Sequence, residues 1–224
     1  MTINDPHVGT IAPAVIEDVD AALAAEVEPF RDAAAVRVMS FASKIGDQPP
    51  MRAVCAATIA IGLVSANPRL MRAGLRMVVA HALATASKNF LKRRIDRTRP
   101  HASAADDDHR IRLGTNHAHD GTSFPSGHSA GVVAVGAALA REFPEHRIGA
   151  LCSAGAVALA QVPRGSHYLS DVVVGSAMGA ASEAGLHRLL RLTIVYAGRV
   201  GKDDRDATRL RELELVQKGA RHVR

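Results

Sequence analysis

The sequence predicts an all-α protein, an antiparallel bundle of about five to six helices integrated in a membrane, and three observations carry that expectation. Of 224 residues, 47% are apolar but only 3% are aromatic and none is Trp, so the core has to be built from Ala, Val, Leu and Gly, which favour close helix packing. Apolar runs of helical length alternate with short polar spacers, which sets consecutive helices side by side and antiparallel. The pairs Gly127/Gly131 and Gly175/Gly179 are spaced so that helix backbones can approach closely.

Residues 1–25 read as a polar, acidic lead-in with some helix. Over residues 26–44, Val27, Phe30, Ala34, Val38, Phe41 and Ala42 recur near helical spacing with Arg31, Arg37 and Lys44 between them. That pattern predicts one amphipathic helix, on a bilayer surface or on the outside of the bundle. A turn at Gly46 to Pro50 precedes an uncharged stretch, 53–68, which breaks at Asn67-Pro68-Arg69. The run 70–91 is apolar but interrupted by Arg72 and Arg76, and a polar loop, 101–122, follows. Three more helices are predicted over 126–140, 148–163 and 169–190, the last containing Glu183, and the mixed charges from Gly201 onward predict an exposed helix or disorder. The expected layout is a lead-in with its amphipathic helix (1–50), a helical core (51–195) and a charged tail (196–224), with no repeat or composition break that calls for a second core.

A spanning helix takes about 20 mostly apolar residues, and these uncharged runs are shorter, so snorkelling arginines have to cover the ends. The N-terminus lacks a basic start followed by an apolar run, so internal segments are expected to do the inserting. The net charge of +6 comes from scattered Lys and Arg with few aromatics to stack bases, which argues against a nucleic-acid partner and for charges flanking a membrane. Cys55 and Cys152 both lie in apolar stretches and are expected to be small buried thiols, with no disulfide or zinc site.

Three stretches carry chemistry. In KRRIDRTRP, Lys92 and Arg99 are seven residues apart, near one face if the helix persists. Pro100 biases Arg99 away from helical geometry, so the helix end is expected to fray there, with a Lys on the last turn and an Arg just beyond that can converge on one dianion. In FPSGH, Ser126 reads as an N-cap and Gly127 admits close backbone approach, so the free N–H groups of a helix start can receive phosphate, with His128 placed to give a proton to a leaving oxygen. In RGSHYLSD, His167 and Asp171 are four apart, stacked on one face if helical, so that the carboxylate fixes the imidazole tautomer and makes the histidine a nucleophile toward phosphorus.

Lys, six residues, Arg-Pro; Pro-Ser-Gly-His; and His, three residues, Asp: in this order the stretches resemble the signature of the type 2 phosphatidic acid phosphatase family, which includes soluble bacterial acid phosphatases and vanadium haloperoxidases. The resemblance covers about 52–190. It implies that His167 attacks phosphorus to form a phosphohistidine, that Asp171 orients it, and that His128 protonates the departing oxygen. Lys92, Arg99, Ser126 and Gly127 would hold the phosphoryl oxygens, with no metal or other cofactor. One position departs from the family pattern: where the third motif usually has Ser-Arg, this chain has Ala160-Gln161. Arg164, three residues before His167, is expected to compensate in part at the phosphate.

The loop between the first two motifs holds His101, Asp106, Asp107, Asp108, His109, His117, His119 and Asp120, but no paired spacing organises them as metal ligands, and a solvated loop is expected. If the segments cross alternately, all three motifs share one face. Arg69, Arg72, Arg141, Arg147, Arg188, Arg191 and the tail lie on the other, which predicts an inner-membrane protein of bacterial type with an extracytoplasmic site. The expected function is a metal-independent membrane phosphatase acting on a lipid phosphate monoester or diphosphate. The alternatives are a soluble acid phosphatase or vanadium haloperoxidase of the same superfamily, and a non-catalytic protein that grips lipid phosphates.

Overall fold

A computed structural model describes residues 14–103, 110–114 and 122–221, with side-chain surroundings described as far as Arg199 apart from Ser103. It divides into two units, Met1–Glu183 and Ala184–Arg224. The described part is dominated by helices. α1 (Ala14–Val27) and α2 (Ala34–Ser43) flank a 3-10 turn at Glu28–Phe30, so the single amphipathic helix expected over 26–44 is broken. Pro29 is the cause: it lacks an N–H and cannot continue α1, but sits without penalty at the start of the short turn.

α3 (Gln48–Val64) begins earlier than the Gly46 to Pro50 turn suggests, because prolines are tolerated in a helix's first turn, where N–H groups have no internal partner. The hairpin into α4 (Pro68–Lys92) is closed by Asn67, whose side chain accepts from the N–H groups of Arg69 and Leu70, both at 3.1 Å. Beyond α4 the chain forms β1 (Ile95–Asp96), paired antiparallel with β2 (Arg112–Leu113), and the short α5 (Pro100–Ser103). α6 (Gly127–Glu142), α7 (Arg147–Leu159) and α8 (Leu169–Arg221) follow. α7 ends four residues before the predicted Pro163, in the turns that lead to His167. The tail is helical as far as Arg221, and the second unit is this continuation of α8.

α4 packs against α3 and α6, and α6 against α7, over fully buried alanines such as Ala73, Ala80, Ala84, Ala134 and Ala138. A Cβ on Gly175 would collide with the carbonyl oxygen of Ser126, and one on Gly179 with that of Ala130, so this glycine pair is what lets α8 lie on α6. At the end where α4 starts and α6 stops, the buried Glu183 carboxylate accepts from Arg76 and Arg141 at 2.8 Å, and Arg69 pairs with Glu145 at 2.7 Å. Of the arginines counted for the positive face, Arg69 and Arg141 are therefore paired with carboxylates.

No helix among the described residues is long and apolar enough to cross a membrane. α4 has 25 residues but carries Arg69, Arg72, Arg76, Lys88 and Lys92. Cys55 is buried as expected, whereas Cys152 is exposed, because α7 turns that face outward.

Candidate active site

The three motif stretches meet at one end of the bundle because α4 ends there while α6 and α8 begin there. Their common node is the fully buried carboxylate of Asp171, in the first turn of α8. Oδ1 accepts from Arg97 Nη1 at 2.8 Å; Oδ2 accepts from the Ser123 hydroxyl at 2.5 Å and the Tyr168 N–H at 3.0 Å. The backbone carbonyl of Asp171 accepts the N–H of Ser126 at 3.1 Å, which joins the second motif to the third.

His167 is buried and stands just before α8, not within it, so it does not reach Asp171 by helical stacking. Its Nδ1 lies 3.6 Å from Asp171 Oδ2, too far for a direct hydrogen bond, and 3.4 Å from the Ser123 oxygen. Burial pushes the imidazole pKa down to about 4, with Arg99 and Lys92 adding to the fall against the pull of Asp171, so the ring is neutral at neutral pH. Burial alone would raise Asp171, but His167, Arg97 and Ser123 outweigh it and hold the carboxyl at about 2.

Lys92 and Arg99 converge on this site without a continuous helix between them. α4 stops at Lys92, and the chain then runs through β1 with Arg97 bridged to Thr122. Lys92 Nζ donates to the carbonyl of Thr122, and burial together with Arg99 and Lys88 lowers its pKa to about 8. Arg99 Nη1 donates to the Ser166 carbonyl at 3.2 Å, directly before His167. Ser126 caps α6 as expected, its oxygen accepting from the Ser129 N–H at 3.3 Å. A Cβ on Gly127 would meet the far end of the Lys88 side chain, which lies across this helix start.

His128, in the first turn of α6, points its Nε2 at Asp47 Oδ1, 2.6 Å away. Burial lowers its pKa below the ordinary imidazole value, opposed by Asp47 and reinforced by Arg164 and Arg99. Gln161 is fully buried: its amide donates to the Val157 carbonyl at 3.1 Å, and its oxygen accepts from Arg164 Nη1 at 3.2 Å. Arg164 Nη1 also donates to Ser43 at 2.8 Å, so Gln161 acts on Arg164 and not outward.

Sequence reasoning missed Ser123, Arg97, Asp47 and Asp20. Arg97 was hidden inside a basic run, and Asp20 and Asp47 lie in segments without a motif. Ser123 lies two residues before the Pro-Ser-Gly-His motif, the one signal that could have drawn attention to it. His109, His117, His119 and Asp106, Asp107, Asp108 and Asp120 lie outside the described residues. His101 Nδ1 is 3.0 Å from the Gly165 carbonyl. Among the described residues no group of three His, Cys, Asp or Glu side chains is placed to hold a metal ion.

Residues 73–193 match the PAP2 superfamily, more than half of the chain and all three motifs. The chain belongs to the PAP2 superfamily. Lipid A 1-phosphatases of Rhizobium johnstonii and Rhizobium etli are similar to it, 47% identical over 58 residues and 46% over 57. These matches cover 26% and 25% of this chain, and the chain spans only about a quarter of the length of those relatives, 24% and 25%. The fold is that of a transmembrane PAP2 type phosphatidylglycerolphosphate phosphatase from Bacillus subtilis, with a TM-score of 0.57 at 19% identity over 80% of this chain and 89% of that one.

Proposed function

We propose that this PAP2 protein hydrolyses a lipid phosphate, monoester or diphosphate, through a phosphohistidine on His167. The observation that carries this reading is the Asp171 node. One buried carboxylate ties together the chain segments that bear two cations, a helix start and a neutral histidine.

With Nδ1 turned to Ser123 and Asp171, Nε2 is the nitrogen left to attack. A bond forms between Nε2 and phosphorus while the ester P–O bond breaks, and His128 gives its proton to the departing oxygen. Water then attacks the phosphohistidine. His128 takes a proton from it, the P–N bond breaks, and phosphate leaves with His167 neutral again. Lys92, Arg99, Arg164, the Ser126 hydroxyl and the N–H of Gly127 hold the phosphoryl oxygens, neutralising charge that a metal would otherwise meet.

The likeness to the Rhizobium lipid A 1-phosphatases supports a lipid substrate. So do the large apolar side chains exposed on α3 and α4, Ile61, Leu63, Val64, Leu75, Val78, Val79 and Leu83, which suit contact with a membrane. A soluble phosphatase of the same superfamily is the second reading, favoured by the lack of a spanning helix among the described residues. Cell fractionation separates them: activity that pellets with membranes and is released by detergent supports the first, and activity in the detergent-free supernatant supports the second. The chemistry is tested by quenching the reaction with labelled substrate. An acid-labile phosphoenzyme, absent in His167→Asn, is expected, and wild-type turnover by that variant overturns the reading.

A further inference from the structure

α1 lies before the family-matched region, 73–193, yet two of its carboxylates are buried in the middle of the molecule: Asp20 is 3% exposed and Glu17 is 2% exposed. Burying a carboxylate is costly unless it is paired, and both are paired with groups from the catalytic end. Asp20 Oδ2 accepts from Arg97 Nη2 at 2.8 Å and from the Ser170 hydroxyl, and Asp20 Oδ1 accepts the Ser170 N–H at 3.0 Å. Glu17 Oε1 accepts the Ile111 N–H at 2.7 Å. Arg97 is itself fully buried; its Nη1 reaches Asp171 Oδ1 and the Ser170 oxygen, both at 2.8 Å, and its guanidinium lies 4.0 Å over the Tyr168 ring. Asp20 lies outside the three motifs, and Arg97 occupies one of the six unspecified positions of the first.

We propose that Asp20 and Arg97 are positioning residues for the phosphohistidine chemistry, and that α1 is a working part of the active site because it brings Asp20 to the guanidinium that holds Asp171. The inference rests on the function proposed above. The planar guanidinium presents one edge nitrogen to each carboxylate, so Asp20 fixes the plane of Arg97, and Arg97 fixes the plane of Asp171. With Oδ1 so occupied, Oδ2 is left for Ser123 and the Tyr168 N–H, next to the nucleophile. Asp20 also receives an N–H of the first turn of α8, the helix that carries Asp171, so one side chain sets both the carboxylate and its support. Because neither residue is assigned a contact with phosphate, their loss is expected to act on turnover and not on binding.

The test measures kcat, KM and inhibition by inorganic phosphate on a short-chain lipid phosphate for the full chain, for Asp20→Asn, Asp20→Glu and Arg97→Lys, and for Asp20→Asn combined with Arg97→Lys. The expected result is a fall in kcat of about 10² for Asp20→Asn, the scale of a small misplacement of a reacting group, with KM and phosphate inhibition within about twofold of wild type. Partial recovery in Asp20→Glu, and a double variant no slower than Arg97→Lys alone, are expected from two residues acting in series. Wild-type kcat in Asp20→Asn, a rise in KM that matches the fall in kcat, or a double variant that loses the product of the two single effects overturns the inference. If Asp20→Asn does not fold, Arg97→Lys, which retains the buried charge but not the fork, is judged by the same kcat and KM criteria. Turnover surviving in His167→Asn is a separate outcome, which overturns the phosphohistidine reading and this inference with it.

Discussion

The hydroxyl of Ser123 stands between His167 and Asp171, 2.5 Å from the carboxylate Oδ2 and 3.4 Å from the imidazole Nδ1. Its own position is set by the backbone, since the Ser123 N–H donates to the Arg97 carbonyl at 2.9 Å. Histidine and carboxylate are thus coupled through a side chain that no motif contains. Ser123→Ala is expected to lower kcat by up to about 10²-fold, with KM little changed, because the orientation of the ring loosens while the phosphate cradle stays. Steady-state kinetics on a soluble phosphate ester checks this, and an unchanged kcat would show that His167 is oriented without the serine.

In the proposed mechanism the pH dependence follows from two histidines with opposite duties. His167 has to be unprotonated to attack, so kcat/KM is expected to rise with pH through about 4. His128 has to be protonated to act as an acid, so the rate is expected to fall as pH passes its pKa, which burial holds below the ordinary imidazole value. Asp47 opposes that fall, so Asp47→Asn is expected to move the basic limb to lower pH and leave the acid limb in place. A basic limb that stays put in this variant would separate Asp47 from the acid.

Arg164→Ala is expected to weaken phosphate inhibition and to cost about 10² to 10³ in rate, the scale of losing one transition-state donor. Gln161→Ala, which only frees Arg164 from one of its two anchors, is expected to do less in the same direction. The reverse ranking, with Gln161→Ala dead and Arg164→Ala active, would reassign the site's third cation.

Gly175→Ala is expected to destabilise the fold by about 1–3 kcal/mol, the usual cost of overpacking, because the new methyl has to displace the Ser126 carbonyl. Gly155→Ala, where a Cβ meets nothing within 4 Å, serves as the control and is expected to melt at or slightly above the wild-type temperature. Thermal unfolding of the two variants decides it.

Turnover is expected to be insensitive to a metal chelator, since the proposed mechanism draws its positive charge from Lys92, Arg99 and Arg164. Activity that a chelator abolishes and one divalent ion restores would contradict this.

The chain announced its helices and its three motifs because those signals are local: helical runs of small apolar residues, Asn67 before Pro68, Ser126 before Gly127. What stayed hidden is held together across long separations. Asp20 and Arg97 are far apart in sequence, and nothing in α1 marks one acidic residue out from Glu17, Asp18 or Glu26. The motif residues also come together by a different route from the one their spacings suggest. The helix was expected to fray before Pro100 with Lys92 on its last turn and Arg99 just beyond, and α4 does end at Lys92. His167 was expected to stack on Asp171 if helical, but the chain joins α8 only at Leu169. The single amphipathic helix over 26–44 failed on Pro29, a breaker visible in the sequence whose effect the apolar periodicity outweighed.

The glycine seam between α6 and α8, together with the bond from Ser126 to the Asp171 carbonyl, ties the floor that would receive phosphate to the support of the histidine's carboxylate. Diversity libraries aimed at new substrates should therefore spare that seam and vary the chain around Ser43 and Asp47, which touches Arg164 and His128 from the other side. There, exchanges act on Arg164 and His128 and leave the glycine seam in place.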